Sequence, residues 1–316
     1  MTERLARFEI PESLSGERID RALSLLTGKS RSHTAKLVAE GCVLIDGQAA
    51  RASSVRVAAG STVDIAELQA RAQTEPRNDE TVPFEILHAD ADIVVVDKPP
   101  GVITHPGSGH PAGTLADALV ERYPEMADVG QPGRPGIVHR LDRGTSGILV
   151  CARSSHAYVA LVEQLSMRRV RRLYAALAKG HPASPTGTID APVGRDRENR
   201  TLMAVTSEGR EARTHYSVVE TYTHPVEAAL LRCSLETGRT HQIRVHLASI
   251  GLPLLGDTIY GAPDPFGIDR PLLHAIRLTF QHPASGAEVS FEAPMPEDFT
   301  EALAGFGSHS SVFWAE

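Results

Sequence analysis

From Phe84 onward the chain is a succession of short apolar β runs, at Ile93 to Asp97, Ile148 to Ala152, Tyr174 to Ala178 and Ala228 to Leu235. Helical spacing of apolar residues is confined to Thr114 to Arg122, Ser155 to Leu165 and Thr240 to Ile250. A doubly wound parallel sheet needs a crossover helix for nearly every strand. Strands here far outnumber helices, so the expected class is α+β, with a mixed, mainly antiparallel sheet as the main domain over 84–300.

Residues 15–66 read as a separate small α/β module. Ile19, Ala22, Leu23 and Leu26 keep the spacing of a one-faced helix that Gly28 is placed to end. Ser30 is positioned to cap a second helix running to Gly41, and Val43 to Gln48 reads as a strand entering an Asp46-Gly47 hairpin turn. Strands at Val55 to Val57 and Thr62 to Ile65 complete the module. Residues 67–83 are polar, contain Pro76 and Pro83 and show no periodicity, which reads as a linker; 301–316 read as a C-terminal tail.

Charge is uneven along these parts. The whole chain carries −7, but residues 281–316 alone hold −6 and residues 67–95 hold −5, so everything else carries +4, almost all of its cations arginine. Such a body can track a phosphate backbone locally although the protein is acidic overall. Three well-separated cysteines, Cys42, Cys151 and Cys233, form no Cys-x-x-Cys pair and lie in apolar runs, so buried thiols are expected. No apolar run approaches the ~20 residues that span a bilayer, and no apolar signal region follows Met1. A cytoplasmic protein without membrane contact is expected, and a monomer by default.

Chemistry concentrates in the run from Gly136 to Val150, Gly-Ile-Val-His-Arg-Leu-Asp-Arg-Gly-Thr-Ser-Gly-Ile-Leu-Val, which sets Asp142 between Arg140 and Arg143 on a glycine-punctuated loop leading into a strand. A solvated surface aspartate is the ordinary reading of such a residue. Its company argues otherwise. Glu236 to Leu247, Glu-Thr-Gly-Arg-Thr-His-Gln-Ile-Arg-Val-His-Leu, brings Arg239 and Arg244 beside an amphipathic helix, and Arg168-Arg169-Val170-Arg171-Arg172-Leu173-Tyr174 leads a basic run into a strand. Lys98-Pro99-Pro100-Gly101 and Pro253 to Gly261 add two further motifs.

Together, in this order and over nearly the whole chain, these motifs resemble the RluA/RluD-type pseudouridine synthases, which isomerise uridines in ribosomal and transfer RNA. The resemblance implies a long mixed sheet with a central cleft, the pseudouridine synthase fold. It implies Asp142 as the catalytic carboxylate, Arg244 as its pairing arginine and Tyr174 as the active-site tyrosine that stacks on the base. Arg140, Arg239, Leu273, Arg171 and Arg172 are then substrate-binding candidates. The 15–66 module resembles the αL-type RNA-binding domain shared with a small-subunit ribosomal protein, which adds Lys29 and Arg31 as phosphate contacts. Module, linker and the stretch Gly194 to Thr214 look most like enzymes acting on a stem-loop of large-subunit (23S) ribosomal RNA, so that RNA or a pre-ribosomal particle is the implied partner. Gly144 stands where many relatives have an acidic residue, which reads as a looser turn.

Pseudouridine formation breaks the ribose C1′ to uracil N1 bond, turns the base and joins C1′ to C5. Nothing is oxidised and no group is imported, so neither cofactor nor metal is expected. What the reaction needs is an ionised carboxylate in a dry pocket, and a neighbouring guanidinium favours the charged form of such a group. Taken singly, Tyr174 reads as strand packing, Leu273 as core and the arginine run as a solvated face.

Three other readings compete. A metal hydrolase is suggested by fourteen histidines, but His241 and His246 lie five apart, roughly 140° around a helix, which is not a zinc-binding face. An RNA-binding ribosome-assembly factor without catalysis would not require Asp142, Tyr174 and Arg244 together. A synthase acting on transfer RNA is the third.

Overall fold

The computed structural model describes residues 5–27, 31–39, 41–50, 52–66, 82–107, 110, 112–308 and 313. It comprises two compact units, Met1–Glu80 and Thr81–Glu316.

In the first unit, β1 (Leu5–Glu9), α1 (Ile19–Thr27), α2 (Arg31–Ala39), β2 (Val43–Ile45), β3 (Gln48–Ala49) and β4 (Thr62–Ala66) follow in order. The strands form an antiparallel sheet in the order β1-β4-β2-β3. Ile19, Ala22 and Leu23 of α1 and Val38 of α2 pack with Val43 and Val63 of the sheet in one apolar core, as the helical spacing predicts. Asp46 and Gly47 both take positive φ, 50° and 79°, the geometry that matches hairpin twist. Two expectations differ. The module begins before residue 15, because β1 pairs with β4 from Leu5↔Ala66 to Glu9↔Thr62. Val55 to Val57 is not a strand of the sheet: Val55 O and Val57 N bond instead to Ile19 N and Glu17 O, leading into α1. Gly28, Lys29, Ser30 and residues 67–81 of the expected linker lie outside the described residues.

The second unit opens with β5 (Glu85–Ala89), β6 (Ile93–Lys98), α3 (Leu115–Arg122), β7 (Gly130–Gln131), β8 (Arg134–Pro135), β9 (Ser146–Ala152) and α4 (Ser155–Ser166). It continues through β10 (Arg171–Lys179), β11 (Thr186–Asp190), β12 (Val193–Arg195), β13 (Met203–Val205), β14 (Arg213–Tyr222) and β15 (Ala228–Leu235). It closes with α5 (Gln242–Ser249), β16 (Leu273–Gln281), β17 (Glu288–Glu292) and α6 (Glu297–Gly305). Nine strands form one sheet, β11-β14-β15-β10-β16-β9-β6-β5, with β17 added beside β16. Every pairing in it is antiparallel except β16 with β9. The mixed, mainly antiparallel sheet read from the sequence is the sheet observed.

Strand alternation divides the core into two layers. On β10, Tyr174, Ala176 and Ala178 face the layer shared with α3, α4 and α5, whereas Ala175 and Leu177 face α6. Leu273 at the start of β16 lies on the same side as Tyr174. The sheet thereby presents both residues to the face on which α5 carries Arg244. Helices cap as their sequences direct: Thr114 and Asp117 form a reciprocal capping box on α3, and Ser154 accepts from Ala157 N–H on α4. No described helix is long and apolar enough to cross a membrane.

Candidate active site

Asp142 sits on a loop held chiefly through its backbone. Thr104 Oγ1 donates to Leu141 O at 2.8 Å, Gly101 N–H donates to Arg143 O at 2.7 Å, and Thr145 N–H closes a turn on Asp142 O at 3.1 Å. Lys98, fully buried at the end of β6, donates Nζ to Pro99 O and Val102 O at 2.9 Å and reaches Arg143 O at 3.5 Å. Burial pulls its ammonium down to about 7.

Two glycines let the loop and β9 approach β16. Gly147 has φ +113°, and a Cβ there would overlap the Ala275 backbone, so the one parallel pairing, His274↔Ser146 and Ala275↔Gly147, depends on glycine. A Cβ on Gly144 would stand 2.8 Å from Pro271 Cδ. Gly144 is therefore a packing contact against a rigid ring, where the sequence suggested a slack turn.

Asp142 borders a cleft of about 650 Å³ that Arg140, Arg172, Tyr174, Arg239, Arg244 and Leu273 also line. Seven of the predicted site residues thus converge from four separate segments. Arg244 holds the centre. Its Nε and Nη2 donate to Asp257 Oδ2 and Oδ1 at 2.7 and 2.8 Å, and its Nη1 reaches Asp142 Oδ2 at 3.4 Å. Burial opposes the charges on both Arg244 and Asp257, but their mutual hydrogen bonds outweigh it, raising the arginine and lowering the aspartate from their ordinary values.

The other candidates divide. Burial pushes the Tyr174 phenol up, which keeps its hydroxyl protonated. Arg172 is nearly buried, its Nη2 close to Leu235 O and Glu236 O at 3.4 and 3.5 Å, with Nε unpartnered among the described residues. Arg140 Nη1 lies 3.4 Å from His105 Nε2, and Arg239 Nε donates to Glu211 O at 3.0 Å. Arg171 does not line the cleft; it is exposed and pairs with Glu288 of β17. Arg168 does line it, already paired with Glu211 and Glu236, and Arg169 does not. Lys29 is outside the described residues, as is the side chain of Arg31.

The histidines are occupied separately. His139 Nε2 accepts Val150 N–H at 3.2 Å, and burial lowers its pKa to about 3, so the ring is neutral. His246 bonds Thr214 Oγ1 and Ala191 O, both at 2.9 Å, while His241 faces Asp142 at 3.9 Å. Sequence reasoning missed Asp257, Lys98, His241, Tyr260 and, in the cleft wall, the buried Thr145 Oγ1, which has no hydrogen-bond partner among the described residues. For Asp257 a signal existed, an acidic residue between Gly256 and Gly261 in a motif already noted.

A family model described as RNA pseudouridylate synthase matches residues 92–249. A ribosomal large subunit pseudouridine synthase D from Nitrosomonas europaea is 42% identical over 98% of this chain and 91% of its own length. That of Escherichia coli K12 is 40% identical over 93% and 92%. Among solved structures, human RNA pseudouridylate synthase domain containing 1 superposes with a TM-score of 0.56 at 26% identity, covering 72% of this chain and 90% of that one. The chain belongs to the RNA pseudouridylate synthase family, the isomerases that convert uridine to pseudouridine in RNA.

Proposed function

We propose that this protein isomerises specific uridines in a stem-loop of large-subunit ribosomal RNA, with Asp142 as the reacting carboxylate. The observation that carries the reading is the position of Asp142, 15% exposed at the side chain and facing Arg244, in a cleft bordered by Tyr174 and Leu273. The carboxylate acts as nucleophile or base while the C1′ to N1 bond breaks. The Tyr174 ring and Leu273 hold the detached uracil as it turns, C1′ joins C5, and the C5 proton is lost as N1 gains one. Reaching these atoms requires the nucleotide to leave its stack, at a cost of a few kcal/mol that loop residues reduce.

Ribosomal RNA is supported by the relatives named for the large subunit, which match over nearly all of this chain. Arginines at the cleft, Arg140 and Arg239 among them, suit a phosphate backbone. The N-terminal unit adds RNA contact through its excess of basic residues, seven against four acidic over 15–56.

The test is tritium release from RNA labelled at uridine C5, using total RNA from a strain lacking the gene, with wild type beside Asp142→Asn. Release by the wild type alone, with RNA still bound by the variant, is expected. Binding without release by either protein would turn the assignment towards an assembly role.

A further inference from the structure

Two side chains beside the carboxylate have no part in the chemistry above. His241 stands just before α5 in the left-handed region, φ 55° and ψ 22°. Its Nδ1 is 2.8 Å from the Tyr260 hydroxyl and its Nε2 is 3.9 Å from Asp142 Oδ1. The Tyr260 oxygen also accepts the backbone N–H of Met203, at 2.9 Å.

These contacts favour one arrangement of the protons. With one lone pair occupied by Met203 N–H, the phenol still has its own hydrogen to give. Among the described residues, the acceptor within reach of that hydroxyl is His241 Nδ1. A neutral imidazole whose Nδ1 accepts carries its hydrogen on Nε2, the atom facing Asp142. Neutrality is favoured by burial, which lowers the His241 pKa; Arg244 and Arg140 add to this effect while Asp142 and Asp257 oppose it.

We propose that His241 is a positioning residue for Asp142, its Nε2–H aligned by the Tyr260 hydroxyl and directed at Oδ1 while Arg244 holds Oδ2. The role rests on the reading of Asp142 as the reacting carboxylate. The gap exceeds a hydrogen bond by about 1 Å, and it closes, or is bridged by one water, when a nucleotide fills the cleft. Each carboxylate oxygen then has its own donor, one neutral and one charged, which fixes the rotation of the group towards the ribose. Through Met203 N–H the same chain of bonds ties β13 to the carboxylate. Simple packing of the two rings, whose centroids are 5.5 Å apart, would be indifferent to the tautomer.

The experiment is a long-range ¹H–¹⁵N correlation on ¹⁵N-histidine protein, with the His241 signals assigned by their loss in His241→Gln, alongside tritium-release kinetics. An Nε2–H tautomer in the wild type, lost in Tyr260→Phe, is expected. His241→Leu should lower kcat about tenfold with KM little changed, and His241→Gln, which keeps an N–H near the Nε2 position, should recover most of it. An Nδ1–H tautomer in active wild-type enzyme, or equal kcat for His241→Leu and wild type, overturns the inference and leaves the proposed function standing. Wild-type protein that releases no tritium removes that function and this role with it.

Discussion

Arg244 gives two guanidinium nitrogens to Asp257 and only Nη1, at 3.4 Å, to Asp142. The fork that matches a carboxylate is thus spent on a residue outside the cleft lining, and Asp142 receives charge without a bidentate clamp. A carboxylate held by a single long contact stays available to react. Asp257→Ala removes the bidentate partner of the buried Arg244 cation and leaves it Asp142 alone, a loss expected to fall below the roughly 3–5 kcal/mol of a fully unpaired buried charge in urea unfolding. Below the melting range the variant is also expected to release tritium more slowly, because Arg244 is freed to clamp Asp142. Wild-type rates in a folded Asp257→Ala protein would count against this division of labour.

Lys98 offers a pH signature. Its ordinary value of 10.5 falls to about 7 through burial. Between these values the unfolded chain binds a proton that the folded chain does not, so this group makes stability rise with pH across that window. In Lys98→Met the contribution is absent. The stability difference, wild type minus variant, should therefore grow from pH 7 towards 10 in parallel denaturant titrations. A flat difference would show that the ammonium keeps its proton in the fold.

Gly144 faces the Pro271 ring with no room for a methyl group. Gly144→Ala is expected to cost about 1–3 kcal/mol as an overpacked contact. Pro271→Ala in the same chain should recover part of the loss, and a double-mutant cycle of thermal unfolding reads the coupling. Additive losses would place the strain elsewhere.

Arg239 lines the cleft, and among the described residues its side chain is tethered through Nε to Glu211 O. If it meets a phosphate, Arg239→Gln should weaken RNA binding across sequences and reduce the slope of log K against log salt by about 0.7. An unchanged slope would assign Arg239 to loop packing.

Much of this site was legible because its parts lie in compact motifs. Asp142, Arg239 and Arg244 each have an ordinary reading taken singly, and it is the order and company of their motifs, through the family resemblance, that marks them; α5 and the β runs follow from periodicity. Even the split between Arg171 and Arg172 was available, since strand alternation puts Arg172 and Tyr174 on one face and Arg171 on the other. What stayed hidden depends on distant partners. A lysine that ends a strand reads as exposed, because buried ammonium groups are rare, and it is the carbonyls of Pro99, Val102 and Arg143 that accommodate Lys98 in the core. Asp257 needs Arg244 beside it to have meaning. Strand β1, mixed in composition, is defined by its register against β4 rather than by its own pattern.

The loop beside Asp142 is anchored by the Arg143 carbonyl, while the Arg143 side chain is exposed. All three native thiols are buried and unbridged, and burial pushes Cys151 and Cys233 up to about 12. Arg143→Cys would thus introduce a single reactive handle one residue from the carboxylate, in a protein that needs no cysteine removed first. A fluorophore attached there would watch a nucleotide enter the cleft in real time.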